Sequence, residues 1–230
     1  MLLKSYLNIL LIIASINLFS EDYKISPVFI SDFAGQINLK DINDNKWNEI
    51  DKNFFIYNKS FIKTGDKSFI DIVLNKENKI YLGKKSIIKL EFKFIKESEK
   101  EIFDCTIYIF DGTVKLKTLI VENKNRIRTK ILNNKNMVIL NFISIGDNSI
   151  FIYNNMNKNI SYLLSENNNL NIFFGIKNKY FLRKNNILSY IDSKILLRKK
   201  NNAFIKKYFD YTIRKKIKQD IDLLSGNRKW

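Results

Sequence analysis

The chain has 230 residues, 45% hydrophobic and 13% aromatic, enough for one ordinary domain with a real core; a single Pro and 7 Gly exclude proline-rich linkers and collagenous chains. With no His and one Cys, Cys105, it has no His-based triad or dyad, His-ligated zinc, zinc ribbon, iron–sulfur site or internal disulfide. Lys and Arg number 40 against 23 Asp and Glu, a net +17 that reflects either an anionic partner or the Lys-, Asn- and Ile-saturated composition of an AT-rich coding sequence.

Residues 1–20 place Lys4 before an apolar run over 5–19, with Ser20 ahead of Glu21-Asp22. That is the order of a secretory signal, and the run is short for a transmembrane helix. Cleavage and an uncleaved N-terminal anchor both fit it. No Cys ends the run, so a lipoprotein is not indicated.

From Phe33 the chain reads as short strands cut by polar turns. Phe33–Lys40 is the first strand, Asp41–Asn45 a loop, and Lys46–Ile50 a short strand in which Trp47 is expected to anchor the core. Thr64-Gly65-Asp66 reads as a tight turn, in which Gly takes φ > 0 and the Asp side chain accepts a backbone hydrogen bond. Ile70, Ile72 and Leu74 alternate as on a half-buried strand, Lys79–Leu82 returns as a hairpin, and Ile88, Leu90 and Phe92 mark a third strand. The charge run Lys96–Glu101 reads as a solvated loop, and Cys105 as a core strand residue. Apolar runs at 107–110, 114–121, 137–145, 149–153, 160–164 and 170–174 follow, then a hairpin over 180–191. The expected fold is mainly β: a sandwich- or solenoid-like antiparallel domain over 21–192.

Gly35-Gln36-Ile37-Asn38-Leu39, then Trp47, then Ile62-Lys63-Thr64-Gly65-Asp66-Lys67-Ser68, the alternation to Leu74, and Ser86-Ile87-Ile88-Lys89-Leu90 resemble the FecR domain family over about residues 30–120. Ile107–Leu116 is similar to the strand that follows the family core. Glu77-Asn78 stands where the family often has Asp-Gly. Gly35, Trp47, Thr64, Gly65, Asp66 and Ser68 are then turn and core positions rather than chemistry. The resemblance implies an exported domain that works through protein contacts. Family regulators carry an N-terminal cytoplasmic segment that engages a sigma factor; here only Met1–Lys4 precede the apolar run, so a stand-alone periplasmic or secreted domain is expected.

Residues 193–230 read as a basic helical tail. Apolar residues at 204, 205, 208, 209, 213, 217, 221 and 224 keep helical spacing, and Ser225-Gly226 stops it. From 176 to 230 there are 16 Lys and Arg against 4 Asp, so most of the net charge sits here. Lys206, Lys207, Arg214, Lys215, Lys216 and Lys218 either contact an anionic membrane or wall polymer, or face water while the apolar side packs on the β domain. No paired-carboxylate motif, nucleophile elbow or phosphate loop occurs; scattered carboxylates that converge in space are the one enzymatic arrangement left open. The expectation is a non-enzymatic envelope module with a protein partner, no metal, no cofactor and no small-molecule ligand. A signal also argues against intracellular nucleic acid as the partner.

Overall fold

The computed structural model describes residues 28–50, 54–75, 78–97, 100–119, 125–135, 137–144, 146–174 and 178–209. The apolar run at 5–19 and Arg214, Lys215, Lys216 and Lys218 lie outside them. Alternating burial makes the strands. Ile37 and Leu39 point inward on β2 (Ile37–Lys40), Ile80 and Leu82 on β6 (Lys79–Leu82), and Ile88, Leu90 and Phe92 on β7 (Ile87–Glu97). On β5 (Phe69–Val73) both faces are buried, not one.

The strands form two sheets joined by one long strand, β8 (Lys100–Leu119). The first sheet runs β1 (Phe29–Ala34), β5, β6, the second half of β8, β11 (Asp147–Asn155), β12 (Ile160–Ser165), β15 (Asn186–Ile191) and β16 (Lys194–Lys199). The second runs β3 (Asn48–Glu49), β2, β4 (Phe61–Thr64), β7, the first half of β8, β9 (Asn125–Leu132), β10 (Val138–Ile143), β13 (Leu170–Phe174) and β14 (Asn178–Leu182). Inward residues of both, such as Ile70, Ile80 and Leu116 from the first and Ile37, Ile62, Ile88, Cys105 and Ile127 from the second, share one buried cluster. The architecture is therefore a sandwich. From β9 onward the chain lays down hairpins alternately: β9–β10 in the second sheet, β11–β12 in the first, β13–β14 in the second and β15–β16 in the first.

Several expectations are corrected. Phe33–Lys40 is not one strand: Gly35, at φ 76°, breaks it and sends β1 and β2 into different sheets. The pairing is not wholly antiparallel, because β9 runs parallel to β8, Phe103 opposite Asn125 and Ile109 opposite Ile131. Between those parallel segments the chain crosses to the first sheet along the second half of β8, one solenoid-like circuit inside the sandwich. The described residues of the charge run at 96–101 are strand rather than loop: β7 reaches Glu97 and β8 starts at Lys100, pairing Ile95 with Ile102 and Glu97 with Lys100, and Phe94 meets Phe103 at 5.6 Å between ring centroids. The tail does not begin at 193, since Lys194–Lys199 is the edge strand β16, paired along its length with β15.

Helix α1 (Asn202–Phe209) starts at an N-cap: Asn201 Oδ1 accepts the amides of Ala203 at 2.8 Å and Phe204 at 3.4 Å. It lies on the outer face of the first sheet. Phe209, 2% exposed, packs on Phe151, and Phe204 and Tyr208 pack on Tyr162 at 4.8 and 4.6 Å. These residues, with Leu164 and Ile187, form a second apolar cluster separate from the main core. Burial, and then the hydrogen bond with Tyr208, pushes the Tyr162 phenol up to about 12. For the described part of the tail, the apolar side covers the β domain. None of the helices among the described residues is long and apolar enough to cross a membrane.

Candidate functional site

The Thr-Gly-Asp-x-Ser turn lies at the corner where β8 changes sheets, and it is a folding device. Thr64 Oγ1 donates to Gly83 O at 2.6 Å and accepts the Ser86 amide at 2.8 Å. Ser86 Oγ accepts the Thr113 amide at 3.0 Å and lies 2.9 Å from Gly83 O, an acceptor for its proton. Gly65 N donates to Gln36 O, and Gly65 O accepts from Lys85 N. A Cβ on Gly112, at φ 91°, would lie 2.4 Å from Ser86 Cα; one on Gly35 would lie 2.4 Å from Lys67 O. Gly35, Thr64, Gly65 and Ser68 thus meet here, with Thr64 and Ser68 buried. Neither expected turn device is present: Gly65 keeps an ordinary φ, and the Asp66 carboxylate is exposed and pairs with Lys85 Nζ at 3.2 Å. Trp47 is not with them and does not anchor the core. It is 40% exposed beside the two-residue edge strand β3, with Lys63 Nζ 5.9 Å from its ring. Cys105 is fully buried, and burial pushes its thiol far above the ordinary range.

The corner has a partner that the sequence did not single out. Asn154 on β11 is buried; its Nδ2 donates to Phe110 O at 2.6 Å and Leu132 O at 2.9 Å, and its Oδ1 accepts from Ser161 Oγ at 2.6 Å. It satisfies carbonyls where β8 leaves β9, a place where no strand can do so.

The two outer faces differ. On the first sheet, α1 covers the apolar patch. The second sheet's outer face is open among the described residues, and it carries charge and aromatic rings in register. Phe61, Lys89, Tyr108 and Lys130 stand side by side across β4, β7, β8 and β9. The row extends to Lys40 on β2, and through Asn141 and Phe173 to Lys179 on β14. Lys89 Nζ lies 5.5 Å from the Phe61 ring centre and 5.6 Å from that of Tyr108, and Lys130 Nζ lies 5.1 Å from Tyr108. One register step along the strands, Glu91, Thr106, Arg128 and Ile143 form a second row; Lys93, Asp104 and Arg126 form a third.

Opposite charges tie these rows together. Glu91 accepts from Lys89 at 2.6 Å and from Tyr108 Oη at 2.9 Å. Partial burial raises its carboxyl, but those two hydrogen bonds outweigh burial and hold it below its usual value. Burial first, and then the bond to Glu91, pushes the Tyr108 phenol up to about 12. Asp104, 5% exposed in its side chain, pairs with Arg128 at 2.7 Å. Beside them opens a shallow cleft of about 360 Å³, lined by Asn58, Glu91, Asp104, Thr106 and Arg128 among others. No group of three or more His, Cys, Asp or Glu among the described residues is placed to hold a metal.

Sequence reading missed β9 altogether, because Arg126, Arg128 and Lys130 interrupt the apolar pattern; alternation of these cations with buried Ile127, Thr129 and Ile131 was the available signal. Of the predicted tail contacts, Lys206 and Lys207 are exposed on α1, far in sequence from these rows.

No family model matches the chain, and no curated protein matches it. Two solved structures of a "putative anti-sigma factor" from Parabacteroides distasonis are similar, at 10% and 9% identity and TM-scores of 0.46 and 0.45, each match covering 61% of this chain. The match spans 60% of the length of those structures. Similarity at this level transfers neither activity nor partner.

Proposed function

We propose that this chain is an exported, non-enzymatic binding module of the cell envelope, resembling FecR domains, and that the outer face of its second sheet meets the partner. One observation carries the reading: α1 covers the apolar patch on one outer face, while on the other, with Phe61, Lys89, Tyr108 and Lys130 in register, no element among the described residues lies over the strands. Half-buried polar and aromatic residues that present one edge to solvent from rigid strands are usual material of a recognition surface. The signal-like segment at 1–20 supports export.

The test is fractionation of native cells with a high-salt wash of the membranes. Recovery outside the cytoplasm is expected, with any membrane-bound fraction released by salt. Recovery in the cytosol would end the envelope reading. A second reading makes the basic tail an electrostatic adaptor to an anionic membrane or wall polymer, and the exposed Lys206 and Lys207 favour it. Deleting 201–230 is a poor test, because it strips Phe204 and Phe209 from the apolar face beneath. K206E/K207E keeps the helix packed; unchanged salt-released binding in that variant would sink the tail reading.

A further inference from the structure

We infer that the open face of the second sheet binds an acidic polysaccharide, laid across the strands along the row from Lys40 to Lys179. The inference rests on the binding-module reading and names the chemistry of its partner. The row takes one residue from each of eight successive strands, so at about 4.8 Å per strand it runs over roughly 34 Å across the sheet. A linear ligand matches so long and narrow a row better than a globular one does. Among the described residues Lys40, Lys130 and Lys179 have no carboxylate within ion-pairing distance, whereas Lys89 and Arg128 do. Charge complementarity therefore asks for an anionic ligand.

The acceptors on the same face decide which anion. Glu91 and the largely buried Asp104 stand one and two register steps from the row, and Asn141 stands in it. Glu91 and Asp104 are each paired with a cation, so they do not turn an anion away, but a polymer with a phosphate at every unit or a lipid headgroup layer has few donors for the acceptor oxygens of Glu91 and Asn141. Sugar hydroxyls donate to carboxylates and carboxamides, and occasional carboxylates on the chain answer the free lysines. At the far end, Phe173 at 39%, Phe181 at 53% and Ile143 at 45% exposure offer the apolar surface on which the C–H face of a sugar ring rests. The Tyr108 ring, with a lysine on each side, orders the two ammonium groups beforehand and lowers the entropy lost on binding.

The experiment is isothermal titration of the purified full chain with hyaluronan oligosaccharides long enough to span the row, in which every second sugar bears a carboxylate. Neutral chitin oligosaccharides and oligothymidylate are the comparison probes. Expected are salt-sensitive binding to hyaluronan, weaker binding to both comparison probes, and a loss of about tenfold or more in K130E/K179E, each position being a solvent-side residue. F173A is expected to weaken binding severalfold, and K206E/K207E to leave it within about twofold. No binding to hyaluronan, tighter binding to oligothymidylate, or an equal loss in the helix variant would overturn the inference. Circular dichroism of each variant separates lost binding from lost fold. Cytosolic recovery in the fractionation test would remove the envelope reading without touching this result, so the two failures are distinguishable.

Discussion

Adding one methyl group at Gly112 tests whether the sheet crossing holds the fold together. The backbone there has φ 91°, which an L side chain rarely adopts, and the new Cβ would lie 2.4 Å from Ser86 Cα and 2.7 Å from Lys85 O. Carbon atoms in contact sit about 3.5–4.0 Å apart, so backbone must move. Backbone strain of about 1–3 kcal/mol and overpacking of about 1–3 kcal/mol give about 2–6 kcal/mol for Gly112→Ala. Other glycines separate the two causes. Gly146, at φ 67°, has its nearest neighbour at 3.5 Å, so Gly146→Ala carries strain without a clash, about 1 kcal/mol. Gly83 meets Thr113 at 3.4 Å with an ordinary φ, so Gly83→Ala should fall within about 0.5 kcal/mol of wild type. Gly35→Ala belongs with Gly112→Ala. Urea unfolding curves give the order, and thermal melts should show Gly112→Ala lower by about 10 °C. A Gly112→Ala cost under about 1 kcal/mol, or one no larger than that of Gly146→Ala, would refute the packing argument.

Two further outcomes follow from buried polar groups. Asn154→Leu leaves the carbonyls of Phe110 and Leu132 and the hydroxyl of Ser161 without their partner, so a loss of about 2–4 kcal/mol is expected in the same urea assay; Asn154→Leu as stable as wild type would show that the contacts are dispensable. Glu91 has its carboxyl held below the usual value, so its contribution is present above the unfolded value near 4.5 and is lost as pH falls through the lower folded value. The stability gap between wild type and Glu91→Gln should therefore be full near neutral pH and shrink in acid, and a gap that widens in acid would contradict that sign.

The sequence made the individual strands legible wherever burial alternates. Ile70, Ile72 and Leu74, or Ile88, Leu90 and Phe92, announce an inward face through period two alone. The burial of Cys105 and the apolar side of α1 were legible from the apolar pattern around them, and the chain reversal after Thr64 was legible as a turn, but its contacts were not, since Thr64 bonds to Gly83 and Ser86 and Gly65 to Gln36. Charge hid the rest. In β9 the outward positions are cations, so polarity read as loop where it was only the wet side of a strand, and Lys96, Glu97, Lys100 and Glu101 hid the strand ends that pair there. Trp47 failed in the opposite sense, because an aromatic next to a two-residue edge strand has too little sheet around it to be buried.

By itself, the sequence determined a β-rich chain without histidine chemistry, its strand faces, its turns and its basic balance. Only the tertiary structure decided which strands share a sheet, that β8 crosses between them at Gly112, and that Lys40, Phe61, Lys89, Tyr108 and Lys130 stand in one row. The physical reason is that period two states which face a residue occupies, but not its neighbour across the ladder. Register is set by non-local hydrogen bonds, and a one-residue slip would turn every one of those side chains to the other face.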